Sequence, residues 1–184
     1  MAEFLKDAVL LTKKNSAVET EEELTNCGTA KGETVLEGKV VALFFSAAWC
    51  PPCQHFIPVL RDVYKELIER HSDFEIIFVS MDKSEDEMMD YYREKHGNWL
   101  ALPYEDPLKD ALVEKYNISI IPKLVVIGPD GEMITSKGRK DIQDKGLISF
   151  RGWHSAMMAA AKKADQHQQL LEQQEAAADD EEKG

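Results

Sequence analysis

The sequence predicts an α/β domain, a central mixed β-sheet flanked by helices, with a long C-terminal helix. Three observations carry this. Residues 40–45 (Val-Val-Ala-Leu-Phe-Phe) and 74–79 (Phe-Glu-Ile-Ile-Phe-Val) are short apolar runs of the kind that form strands buried on both faces. Between them Phe56, Ile57, Leu60, Val63, Tyr64, Leu67 and Ile68 recur at helical spacing. A third apolar run, 124–127, leads through Gly128-Pro-Asp-Gly131 into a returning segment at 132–135, the pattern of a hairpin. Strand, crossover helix, strand, helix and hairpin is the order of a mixed α/β sheet.

The remaining elements follow from local signals. Residues 9–11 read as a short first strand, after which the chain is polar to about Gly38. Pro58 interrupts the first helix, but the apolar stripe continues past it, so a kink is expected there rather than an end. Residues 84–95 read as a second helix, with Ser84 as N-cap and Glu87 completing a capping box. Its Met88, Met89, Tyr91 and Tyr92 form the face turned toward the sheet. Residues 106–116 read as a shorter helix with Pro107 in its first turn. From 153 to 178 Ala, Gln, Glu and Lys dominate, which is helical by propensity. Trp153, Met157, Ala160, Ala164 and Leu171 lie on one stripe. The first part is expected to dock on the sheet, and the end, from about Gln173, to be acidic and disordered. The resulting organisation is an N-terminal extension (1–33) with a short strand, a domain (34–165) and an acidic helical or disordered tail (166–184).

The chain has 184 residues and a net charge of −12, which disfavours nucleic acid and anionic membrane surfaces as partners. The acidity is concentrated at 19–23 and from Glu172 onward, so it describes the tails more than the domain. No apolar stretch is long enough to span a bilayer. The first residues, Met-Ala-Glu-Phe-Leu-Lys-Asp, put charges where a signal peptide needs an apolar region, and the expected location is the cytoplasm or the nucleus. Three cysteines do not make a disulfide framework.

Two of those cysteines stand as Trp49-Cys-Pro-Pro-Cys53, where the first long strand meets its helix. That point is the carboxyl end of a central strand, the usual place for chemistry in open α/β sheets. Disulfide exchange needs a thiolate, and a helix N-terminus favours one through its unpaired N–H groups and dipole. Cys50 is the expected nucleophile. Cys53, three residues on and on the same helix face, is the expected resolving thiol. Pro51 and Pro52 suit a first turn that leaves N–H groups unpaired in any case. Trp49 is expected to cover one side of the site and leave Cys50 accessible. Zinc uses the same C-x-x-C spacing, with Cys27 or His55 as the candidate further ligands, but a second ligand pair is missing. His55 should point away from the cysteine face, Cys27 reads as a free thiol, and Trp99 reads as core.

Trp-Cys-Pro-Pro-Cys after Ala-Leu-Phe-Phe-Ser-Ala-Ala resembles the thioredoxin superfamily, and within it the tryparedoxin and nucleoredoxin-like branch. Residues 54–60, residues 98–103 (Asn-Trp-Leu-Ala-Leu-Pro) and Gly138-Arg139 followed by Trp153 are similar to further segments of that branch. The resemblance covers roughly residues 34–155. It implies a thioredoxin fold with no metal and no organic cofactor, acting on disulfide-containing protein substrates and recycled by an external dithiol donor. It also implies that Ile121-Pro122 is the cis-proline that packs against the disulfide and offers backbone to a substrate. One departure stands out. The buried acid that many thioredoxins carry six residues before the first cysteine is here Phe44, so deprotonation of Cys53 falls to water or to an acid elsewhere, such as Glu66 or Asp82. The leading expectation is a protein-disulfide reductase. A redox-sensing binding module with little turnover is the alternative, and peroxide reduction has no activating-arginine signature.

Overall fold

The computed structural model describes residues 2–13, 27–70 and 72–182. Seven strands form one mixed sheet: β1 (Val9–Thr12), β2 (Gly28–Lys31), β3 (Val40–Ser46), β4 (Phe74–Ser80), β5 (Leu100–Ala101), β6 (Lys123–Ile127) and β7 (Met133–Thr135), in the order β2-β1-β5-β4-β3-β6-β7. Helices pack on both faces of the sheet. β3 is parallel to β4 and antiparallel to β6, so it lies in the middle of the sheet and all seven of its residues are buried. Its period-two alternation sends Val40, Ala42 and Phe44 into one core and Val41, Leu43 and Phe45 into the other.

The first core is closed by α3 (Pro51–Glu69), α4 (Glu85–Lys95), α6 (Gly138–Lys145) and the start of α7 (Ile148–Glu182). The second is closed by α1 (Glu3–Lys6), α2 (Gly32–Leu36) and α5 (Leu108–Lys115). α3 runs through Pro58 to Glu69 because Phe56, Leu60, Tyr64 and Leu67 remain on its buried side. Ser84 caps α4 as expected, its hydroxyl accepting from Glu87 N at 3.2 Å, while Glu87 Oε2 reaches back to Lys83 N at 3.2 Å. Gly131 takes a positive φ of 79° in the hairpin turn between β6 and β7.

Several elements differ from the sequence reading. β2 and β5 pair without a periodic signal of their own. β2 is held by a four-residue register with β1, and β5 is two residues long between β1 and β4. α2 and α6 are short polar helices. Gly138 opens α6 because an added Cβ would lie 2.8 Å from the Leu124 carbonyl, so the helix packs backbone-close on β6. α5 begins at Leu108, after Asp106 Oδ1 has accepted from Leu108 N at 2.8 Å. α7 begins five residues before Trp153, and its backbone is helical to Glu182 rather than disordered from about Gln173. The expected stripe buries Trp153 and Met157, but Leu171 is exposed, because the sheet under the helix does not extend that far. Ala164 lies outside the residues whose side chains are described.

Candidate active site

β3 ends at Ser46, and four residues later Cys50 takes an extended conformation (φ −101°, ψ 105°) as the N-cap of α3. Pro51 and Pro52 occupy the first helical positions, which deletes two of the four amide donors a helix start leaves over. The next two, Cys53 N and Gln54 N, donate to Cys50 O at 3.0 and 3.2 Å. The dipole of α3 therefore reaches Cys50 without the direct amide bonds that the sequence argument placed beside the sulfur.

Cys53 sits one turn deeper and is fully buried. Burial pushes its pKa up to about 11, the neighbouring Cys50 acting in the same direction and Ser46 and Ala47 against it. Cys50 Sγ also lies 4.0 Å from Ile121 O, at the cis Ile121-Pro122 peptide bond. The accessibility expected for Cys50 is corrected: only 5% of it is exposed, since Ala47, Met81 and Ile121 close around it. Trp49 is 53% exposed, its indole Nε1 held by Met81 O at 3.1 Å.

Asp82 locks the segment that carries Trp49. Its Oδ1 accepts from Ala48 N at 2.7 Å and its Oδ2 from Ser80 Oγ at 2.7 Å, and its burial raises the carboxyl pKa. Glu66 is not at the site. It is thirteen residues beyond Cys53 on α3, about 20 Å along the axis, and it pairs with Arg70. Phe44 occupies the apolar core against Phe56, Phe78, His96 and Trp99, so no carboxylate lies beneath the cysteines on β3. His55 is exposed, and Trp99 is buried in the core.

Two further residues meet near the cysteine pair: Ser46, which the sequence reading did not single out, and Tyr91, which it placed on the helix face turned toward the sheet. Ser46 Oγ lies 3.1 Å from Tyr91 OH, and both residues are buried. The legible signal was the alternation in β3, which puts Ser46 on the face of Phe44 and hence under the start of α3. The contact with Tyr91 depends on how α4 packs and has no sequence signature.

Cys27 is half-buried at the head of β2, four strands from β3 and so roughly 19 Å across the sheet. It cannot share a ligand set with Cys50 and Cys53. Among the described residues no three His, Cys, Asp or Glu side chains converge to hold a metal.

A family profile described as Thioredoxin-like matches residues 38–133. The chain belongs to the thioredoxin-like family. It is 36% identical to a thioredoxin from Wuchereria bancrofti, with a TM-score of 0.66 over 85% of this chain and 97% of that one. A tryparedoxin from Trypanosoma brucei aligns with a TM-score of 0.63 at 29% identity, over 77% of this chain and 88% of that one. Nucleoredoxin of Mus musculus is 41% identical over 133 residues, which are 71% of this chain but 30% of that protein. The chain thus spans under a third of the nucleoredoxins it matches. Thioredoxin-like proteins are a family of thiol–disulfide oxidoreductases, and this one falls in its nucleoredoxin and tryparedoxin-like branch.

Proposed function

We propose that this thioredoxin-like chain reduces disulfide bonds in protein substrates through Cys50 and Cys53. The observation that carries the reading is the layered pair. Cys50 caps α3 with its sulfur 4.0 Å from the Ile121 carbonyl, and Cys53 is buried one turn below it. Trp49 and Ile120, 53% and 72% exposed, offer an apolar approach for an extended polypeptide.

In the first step the Cys50 thiolate attacks one sulfur of the substrate disulfide. That S–S bond breaks, a Cys50–substrate disulfide forms, and the other substrate sulfur leaves as a thiolate. In the second step Cys53 loses its proton and attacks Cys50 Sγ. The mixed disulfide breaks, the second substrate sulfur leaves and takes up the proton, and the Cys50–Cys53 disulfide forms. The substrate gains two electrons, and an external dithiol of the surrounding cytoplasm or nucleus returns them to the chain.

The test is insulin-disulfide reduction with dithiothreitol, comparing wild type with Cys50→Ser and Cys53→Ser. Activity lost in the first variant and a trapped mixed disulfide in the second support the reading. Undiminished activity in Cys50→Ser overturns it. The near-complete burial of Cys50 and the phenyl ring of Phe44 on β3 favour a second reading, a redox-dependent docking module with slow turnover. Wild type no faster than dithiothreitol alone, with partner capture that depends on oxidation, would support that one.

A further inference from the structure

Cys50 is the thiol that must meet a substrate sulfur, yet only 5% of it is exposed. Ala47, Met81 and Ile121 close around it, and they differ in their freedom to move. Ala47 carries a methyl with no rotamer to change, and its carbonyl accepts from Cys50 N at 3.3 Å, which ties it to the same turn. Ile121 is branched at Cβ and stiff at χ1. It stands just before Lys123, which opens the β6 ladder opposite Phe45. Met81 is half-buried and unbranched, with three rotatable bonds in its side chain. Its backbone is held on both sides: Met81 N donates to Ser46 O at 2.9 Å, and Met81 O accepts from the Trp49 indole Nε1 at 3.1 Å. The thioether arm can therefore swing off Cys50 without disturbing either bond.

We propose that the Met81 side chain is a movable cover over Cys50 and a specificity-determining residue for the disulfides this thiol attacks. The proposal deepens the exchange reading and rests on Cys50 as its nucleophile. The substrate class follows from what surrounds the cover. β3 lies between β4 and β6, so Met81 at the end of β4 and Ile121 at the start of β6 flank Cys50 from opposite sides. Trp49, tied to the Met81 backbone, is 53% exposed, and Ile120 is 72% exposed. A polypeptide laid across these two apolar side chains passes over Cys50 and pushes the Met81 arm aside. The displaced arm gains apolar contact with the polypeptide, which offsets the cost of moving it. A small hydrophilic disulfide makes no such contact. It reaches Cys50 only in the fraction of molecules whose cover has already swung away. The cover thus favours disulfides carried on polypeptide, with apolar residues beside the cysteine, over small soluble disulfides. Met81 neither gives nor takes a proton or an electron, so the two exchange steps are unchanged.

Two measurements on the full-length reduced chain carrying Cys27→Ser test this. The first is the rate at which iodoacetamide labels Cys50, read by peptide mass spectrometry from pH 6 to 10. Met81→Ala is expected to raise that rate about fivefold at every pH, because access changes and the thiolate does not. Met81→Leu, of similar volume, is expected to return to within about twofold of wild type. The second is the rate at which excess hydroxyethyl disulfide or insulin oxidises the chain, read as loss of free thiol. In Met81→Ala the ratio of the hydroxyethyl disulfide rate to the insulin rate is expected to rise about fivefold. Labelling in Met81→Ala that matches wild type, a rise confined to the low end of the pH range, Met81→Leu as fast as Met81→Ala, or an unchanged ratio of the two oxidants each overturns the proposal and leaves the exchange reading intact. If Met81→Ala fails to fold, Met81→Val, which removes the thioether end but keeps bulk near the backbone, decides by the same criteria. A wild-type chain that neither disulfide oxidises overturns the exchange reading itself, and this proposal with it.

Discussion

Asp82→Ala should loosen the Cys50 segment by an amount that can be worked out from the geometry. The carboxylate accepts two hydrogen bonds of 2.7 Å, from Ala48 N and Ser80 Oγ. A bond to a charged group contributes about 1.5–3 kcal/mol, so the two together supply roughly 3–6 kcal/mol. Burial offsets part of this, since the raised pKa of Asp82 means that its charged form is disfavoured in the folded chain. A net loss of about 2 kcal/mol is expected on truncation. For a domain of this size that lowers Tm by about 4–8 °C. Asp82→Asn keeps an oxygen for Ala48 N and has no charge to desolvate, so it should melt close to wild type. The folded chain binds the Asp82 proton more tightly than the unfolded one. The cost of the charge therefore appears as pH rises through the folded pKa, and the Asn variant should compare better with wild type at pH 7 than at pH 4. Melts followed by circular dichroism at both pH values, with insulin reduction on the same samples, test this. An Ala variant that melts with wild type, or an Asn variant that falls as far as Ala, would refute the reasoning.

Three further outcomes follow from the same structure. At pH 8 the thiolate fraction of Cys53 is about one in a thousand, given a pKa pushed up to about 11, so brief iodoacetamide treatment should leave Cys53 unlabelled by peptide mass spectrometry. Equal early labelling of Cys50 and Cys53 would contradict the burial described. His96 is buried among Phe78, Tyr91, Tyr92 and Trp99 with its pKa well below 6.5. The unfolded chain takes up a proton below about pH 6.5 that the folded chain does not, so stability present above that pH is lost beneath it. Urea denaturation at pH 7 and 5.5 should differ by roughly 1 kcal/mol, and His96→Gln should abolish the difference. Gly138→Ala puts a methyl 2.8 Å from Leu124 O and should cost about 1–3 kcal/mol, read as a lower denaturation midpoint.

What the sequence alone determined about this protein is whatever has a local or periodic signature. The two long parallel strands, the amphipathic helix between them, the capped helix at Ser84 and the hairpin after residue 123 were all legible, because burial on one or two faces imposes a period on the residues that make it. The cysteine pair was legible for a related reason: its spacing and its position at a strand-to-helix junction are properties of the chain itself. Tertiary structure alone decided the rest. β5 exists because β1 and β4 stand on either side of a two-residue segment, and β2 exists because β1 offers it an edge. The packing of Met81 and Ile121 around Cys50, the latch from Asp82 to Ala48 and the contact between Tyr91 and Ser46 each join residues more than thirty positions apart. Such contacts are set by how helices settle on the sheet, and packing of that kind leaves no period in the sequence to be read.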